Sequence, residues 1–292
     1  MLHDGEYPID DDIVAHLIDT QMPQWARLPL RRLDTAGTVN AAFRLGADKL
    51  VRLPRHPDFS EGPLREAEWL PALRPQLPLE IPEQLALGSP ADSYPSHWSV
   101  LGWIDGQNAT RAALSDLHSA ARQLGEFVIA IRRLPTEGAP DDNYRGRGLS
   151  NVDNDVRQRI DQLPDSYDRA AILDVWQACA SVPEWKGQPT WFHGDLYSNN
   201  LIARDGRLVA VIDFEGCDAG DPSIDLIAAW WLFDQSSRTT FRDAVDPDEP
   251  QWMRGKGWAL FMGVSAIPYY RDTNPAFAEL ASRAIDEILQ DW

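Results

Sequence analysis

The sequence predicts an α+β protein in two parts: a small antiparallel sheet carrying one helix, then a mainly helical remainder. Three observations carry that expectation. Short apolar segments, partly alternating and broken by Gly or Pro, fill the first hundred residues. Beyond Thr110 the apolar residues recur mostly at helical spacing. The length of 292 residues, at roughly 150 per domain, matches two domains or lobes.

Taken in order, Ile13, Val14, Leu17 and Ile18 fit one face of a helix that Pro23 and Pro29 close. Segments 30–40, 41–46 and 48–55 read as antiparallel strands joined by tight turns. Leu64, Ala67, Leu70 and Leu73 predict the helix of the first part. Segments 82–88 and 97–104 are two further strands. The boundary falls at the connector 99–106, giving residues 1–102 as a sheet-rich first lobe and 103–292 as a helical second lobe. In the second part, 113–134 and 150–163 are amphipathic helices, and 137–150 is a loop by composition. The strand signal returns once, at Leu201-Ile202 and Leu208–Ile212 around the turn Asp205-Gly206; after Pro222 the pattern is helical to the end.

With 43% hydrophobic and 25% charged residues the chain has material for a sizeable core and lacks the composition of a disordered one. Its formal charge is −18, which disfavours nucleic acid and anionic membrane surfaces and favours cationic small molecules, although solubility alone accounts for it equally well. Two cysteines are too few for a disulfide framework, and no zinc pattern accompanies them. The acidic start and the lack of a long apolar run point to a cytoplasmic home. Oligomeric state is left open between monomer and homodimer.

The chemistry gathers between Trp191 and Leu226. Asp195 follows an apolar entry and precedes a polar loop, and Asp213 ends the apolar strand Val209–Ile212. A carboxylate at the tip of a buried strand is well held. Asn200 lies five residues past Asp195 and a hairpin away from Asp213. An amide oxygen and a carboxylate brought together across that hairpin form a hard-oxygen site suited to Mg²⁺, leaving Asp195 free to handle the proton of an attacking hydroxyl.

His193-Gly-Asp195-Leu, Asn200, Ile212-Asp213-Phe214 and Gly220-Asp221-Pro222 with Asp225-Leu226 together resemble the aminoglycoside phosphotransferase family, small-molecule kinases with a protein-kinase-like two-lobed fold. That resemblance implies Asp195 as the catalytic acid, and Asn200 and Asp213 as Mg²⁺ ligands. It implies Arg52 as the strand cation on the nucleotide phosphates and Glu66, in preference to Glu68, as its helix partner. The turn from Ala36 through Gly37 and Thr38 to Asn40 resembles the phosphate-covering loop, and Ser99–Trp103, with Leu101 and Trp103, the adenine hinge. ATP or GTP and Mg²⁺ are the implied cofactors, and a small-molecule hydroxyl is the implied acceptor. An aminoglycoside antibiotic is the first expectation for it, with antibiotic resistance the implied role. A macrolide or another natural product or metabolite is the alternative, and a nucleotide-binding pseudokinase the second alternative. Two departures stand out: Tyr197 where relatives usually carry His, and Arg52 where many carry Lys, whose geometry is not interchangeable with Arg.

Among the remaining residues, His193, Asp221 and Asp225 read as structural, Asp221 capping the helix after Pro222 and Asp225 bracing the catalytic loop. One of Trp230 and Trp231 is expected in the core. Trp230, with Asp234 one turn beyond it, is the candidate for facing the acceptor.

Overall fold

The computed structural model describes residues 5–33 and 39–292. They form two compact units: residues up to 76 with 80–105 and 210–215 in the first, and 77–79, 106–209 and 216–292 in the second.

The first unit opens with helix α1 (Asp11–Gln21), whose N-terminus is closed by the Asp10 carboxylate accepting from the Ile13 N–H at 2.8 Å. Strands β1 (Leu30–Arg32), β2 (Asn40–Leu45) and β3 (Lys49–Pro54) precede helix α2 (Gly62–Leu73), and β4 (Gln84–Gly88) and β5 (Trp98–Gly102) follow it. All five strands make one antiparallel sheet in the order β1-β2-β3-β5-β4. Val14, Leu17 and Ile18 of α1 pack with Phe43, Leu53 and Trp98 of the sheet into the core of this unit. The β2–β3 register sets Ala42 opposite Arg52, and β5 sets Ser99 on its other side, so Arg52 stands mid-sheet. Helix α2 begins with Gly62-Pro63 for two reasons. Proline suits the first turn of a helix, and a Cβ at position 62 would lie 2.7 Å from the Glu215 carboxylate.

The second unit contains strand β6 (Gln107–Asn108) and helices α3 (Leu117–Arg132), α4 (Asp153–Asp161) and α5 (Arg169–Ser181). Strands β7 (Thr190–Phe192), β8 (Leu201–Arg204), β9 (Arg207–Val211) and β10 (Asp218–Gly220) come next, then helices α6 (Ala228–Trp231), α7 (Gln235–Val245), α8 (Glu249–Tyr270) and α9 (Pro275–Gln290). The β8–β9 hairpin turns at Asp205-Gly206 with φ of +52° and +77°, the left-handed pair that such a two-residue turn requires. β6 pairs with β8 on its other side. Glu287 on α9 lies between Arg111 and Arg238 and ties that helix to α7. Among the described residues no helix is long and apolar enough to cross a membrane.

The α+β class stands as expected, but the strand signal does not return only once in the second part. β7 and β10 form a separate antiparallel pair, with Phe192 opposite Asp218. Three-residue strands are too short to show a two-residue period, and one of them reads Asp-Ala-Gly, which hides it from pattern analysis.

Candidate active site

In the first unit the chemistry centres on Arg52. Its guanidinium donates to Glu66, to Glu215 Oε1 at 2.8 Å and to Asp213 Oδ1 at 3.2 Å. Burial pulls the Arg52 pKa down, but the carboxylates of Glu66, Glu215 and Asp213 more than offset this, and the group stays charged. Glu66, fully buried on α2, also accepts the Phe214 N–H at 3.0 Å. Burial raises its pKa, with Arg52 pulling the other way. Glu215 is pushed up to about 8 by burial, with Arg52 opposing and the neighbouring acids reinforcing. Asn40 donates from Nδ2 to Glu215 Oε1 at 2.9 Å, while its buried Oδ1 has no hydrogen-bond partner.

Asp213 sits at φ +71°, a left-handed conformation uncommon for a residue other than glycine and of the kind found at functional sites. Carboxylate oxygens of Glu66, Asp213 and Glu215 lie within 4.8 Å of one another. Three acids against one guanidinium leave a local excess of negative charge when all are ionised. The donor set, hard oxygens plus an orphaned amide oxygen, fits Mg²⁺.

In the second unit the segment from His193 to Asn200 forms a braced loop. The backbone N–H groups of His193 and Gly194 donate to the two oxygens of Asp225 at 3.0 and 2.7 Å. His193 is fully buried, and its Nδ1 accepts the Asp195 N–H at 3.2 Å. Asn200 donates from Nδ2 to the Asp195 carbonyl at 3.1 Å. The loop is thus pinned by its backbone, and the Asp195 side chain remains 22% exposed, enough to meet a substrate. Asp195 Oδ1 forms an ion pair with Arg145 at 2.8 Å, and Tyr197 places its phenol 3.4 Å from Oδ2. Burial opposes the charge on Arg145, but Asp195 overcomes that and holds it protonated.

Arg52, Glu66, Asn40 and Asp213 therefore come together in the first unit, and Asp195 and Asn200 in the second. Gly37 and Thr38 lie outside the described residues. Leu101 is buried in β5, and Trp103 has its indole under the Arg44 guanidinium at 3.6 Å, with Nε1 donating to Asp105. The structural roles expected for His193, Asp221 and Asp225 are met, Asp221 accepting the Ser223 N–H at 3.0 Å. The acceptor-facing role expected for Trp230 does not fit. Its ring has no exposed surface, stacks on Trp252 at 4.7 Å and bonds Asp291, because α6 turns that face into the core. Asp234 serves as the N-cap of α7, accepting the Ser237 N–H at 2.9 Å.

Sequence reasoning passed over two residues. Glu215 stands two positions after Asp213, but the left-handed backbone at Asp213 breaks the strand alternation that would have placed it. Arg145 stands in the loop after Pro140 with no periodic signal around it.

Residues 31–258 match the family described as "Phosphotransferase enzyme family", and the chain belongs to that family. Solved structures agree over nearly the whole chain. The GDP and kanamycin complex of APH(2")-IIIa superposes with a TM-score of 0.76 at 19% identity, covering 95% of this chain and 98% of the other. The streptomycin–ATP–APH(2")-IIa ternary complex gives 0.61 at 20% identity, with 97% and 96% covered. Macrolide 2'-phosphotransferase MphH from Brachybacterium faecium, as apoenzyme, gives 0.61 at 21% identity, with 95% and 98% covered. Identities this low establish the fold alone. No curated protein sequence matches the chain.

Proposed function

We propose that this chain transfers the γ-phosphate of ATP, or of GTP, to a hydroxyl of a small molecule. The observation that carries this reading is the loop of Asp195, held by Asp225, His193 and Asn200 through its backbone while the carboxylate itself stays accessible. A carboxylate so positioned orients the acceptor hydroxyl and takes its proton as the new oxygen–phosphorus bond forms and the bond to the departing nucleoside diphosphate breaks. Arg52 would grip phosphate oxygens, exchanging part of its contact with Asp213 and Glu215 for them while Glu66 keeps it aimed. Asp213 and Asn200 are the residues that would hold Mg²⁺, which would supply neutralisation of the phosphate charge. Asn40, Leu101 and Trp103, with Gly37 and Thr38, are the remaining residues assigned to the nucleotide.

An aminoglycoside acceptor is favoured by the overall charge of −18. A macrolide or other natural product is favoured by a more local observation, the aromatic wall beside Asp195, which is taken up below.

The test is Asp195→Ala in the full chain. Turnover is expected to fall by about 10²–10⁴-fold, the contribution of a positioned base. ATP affinity, measured by calorimetry, is expected to stay within about twofold. Near wild-type turnover in that variant contradicts the assignment.

A further inference from the structure

Tyr197 carries its ring beside Asp195 and packs it within a group of rings. Its phenol lies 3.4 Å from Asp195 Oδ2, and its ring centroid lies 5.5 Å from Trp231 and 5.3 Å from Phe277. Phe277, at the start of α9, lies 5.1 Å from Tyr270 at the end of α8, and Tyr270 lies 4.7 Å from Tyr269. Trp231 is fully buried and backs both Tyr197 and Phe277. Tyr197, Phe277 and Tyr270 are half-buried and Tyr269 is exposed. Tilted and edge-on ring pairs attract beyond their buried area, so these rings hold one another in place and form a fixed surface rather than independent side chains.

Charge at this position points the same way. Asp195 is already paired with Arg145 at 2.8 Å, and the Arg145 guanidinium lies 5.8 Å from the Tyr144 ring. The carboxylate that meets the acceptor is therefore locally balanced, with a cation beside it that repels an incoming ammonium group.

We propose that Tyr197, Phe277 and Tyr270 form a wall of the acceptor site, and that this wall takes the apolar face of an acceptor bearing at most one amine, not a polyammonium sugar. The inference rests on the phosphotransfer reading and names the acceptor class of that same site. Any hydroxyl within hydrogen-bond reach of Asp195 has Tyr197 as its neighbour, so the body of the acceptor lies along the rings. Phe277 and Tyr270 are then specificity-determining residues with no part in the bond-making step.

The experiment measures acceptor-stimulated ADP release by the full chain with two panels. Kanamycin, gentamicin and streptomycin make up the polyammonium panel. Erythromycin and p-nitrophenyl glycosides make up the apolar-faced panel. Compounds of the second panel are expected to show kcat/KM at least about tenfold higher than any of the first. Phe277→Ala and Tyr270→Ala are each expected to raise the acceptor KM about tenfold, with kcat and the KM for ATP within about twofold. Phe277→Leu, which keeps most of the volume and loses the flat face, should fall between them and the wild type and guards against a folding defect in the alanine variant. Preference for the polyammonium panel, or an acceptor KM unmoved by either alanine variant, overturns the proposal. A preference for kanamycin, in transfer that Asp195→Ala abolishes, would overturn the acceptor class alone. Absence of Asp195-dependent transfer to every compound would overturn the phosphotransfer reading with it.

Discussion

Asp225 commits both carboxylate oxygens to backbone N–H groups of His193 and Gly194, and it does so in complete burial. Burial pushes its pKa up to about 6, with the two N–H donors and Arg132 pulling against it. Between the unfolded value, near 3.9, and about 6 the folded chain binds the extra proton, so this group's contribution to stability decreases as pH rises through that window. Asp225→Asn has no such titration. Denaturant unfolding of both proteins from pH 4 to pH 6.5 is expected to show the wild type losing about 2–3 kcal/mol relative to the variant. A difference constant across that range contradicts the assignment. The same residue shows what sequence patterns reveal at this scale. The expectation that Asp225 braces the catalytic loop is met by these two backbone bonds. Arg145 had no comparable marker, because the contact that matters joins two loops far apart in sequence.

Secondary-structure elements were legible where a periodic pattern and flanking turn residues marked them, and the 13-residue α5 was not anticipated. The strands of the five-stranded sheet and helices α3 and α4 carry a period long enough to read, and turn residues bound them. β6, β7 and β10, at two or three residues each, are defined by their hydrogen-bonding partners and by nothing local. Helix α6 shows the complementary problem. Its Trp230 and Trp231 both read as apolar, and only packing decides that Trp230 turns to Trp252 while Trp231 backs Tyr197. Asp234 belongs to this scale as well. Its carboxylate accepts the Ser237 N–H at 2.9 Å and the Ser237 hydroxyl at 2.7 Å, which holds its pKa below the usual range and marks it as the cap of α7. Asp234→Ala is expected to cost about 1 kcal/mol, the usual penalty for losing such a cap, read from denaturant unfolding. The acceptor KM should stay within about twofold. A large rise in acceptor KM with stability unchanged would restore Asp234 to acceptor binding.

At the scale of the whole molecule the chain distributes its chemistry between two units. It leaves the second unit after residue 209, gives residues 210–215 to the first, and returns at 216. That excursion delivers Asp213, Phe214 and Glu215 to Arg52 and Glu66, and a boundary drawn at residue 102 does not anticipate it. The motifs spanning residues 193–226 announced the family, which the match over residues 31–258 establishes. The overall charge suggested a cationic partner, whereas Asp195 itself is paired with Arg145. The central claim is that Asp213 and Asn200 serve the metal of a bound nucleotide while Asp195 serves the acceptor. Calorimetric titration of ATP with and without Mg²⁺, on the wild type and on Asp213→Ala, Asn200→Ala and Asp195→Ala, tests it most directly. The account predicts that Mg²⁺ tightens binding in the wild type and in Asp195→Ala and that the gain is lost in the other two variants; a full Mg²⁺ gain retained by Asp213→Ala would contradict it.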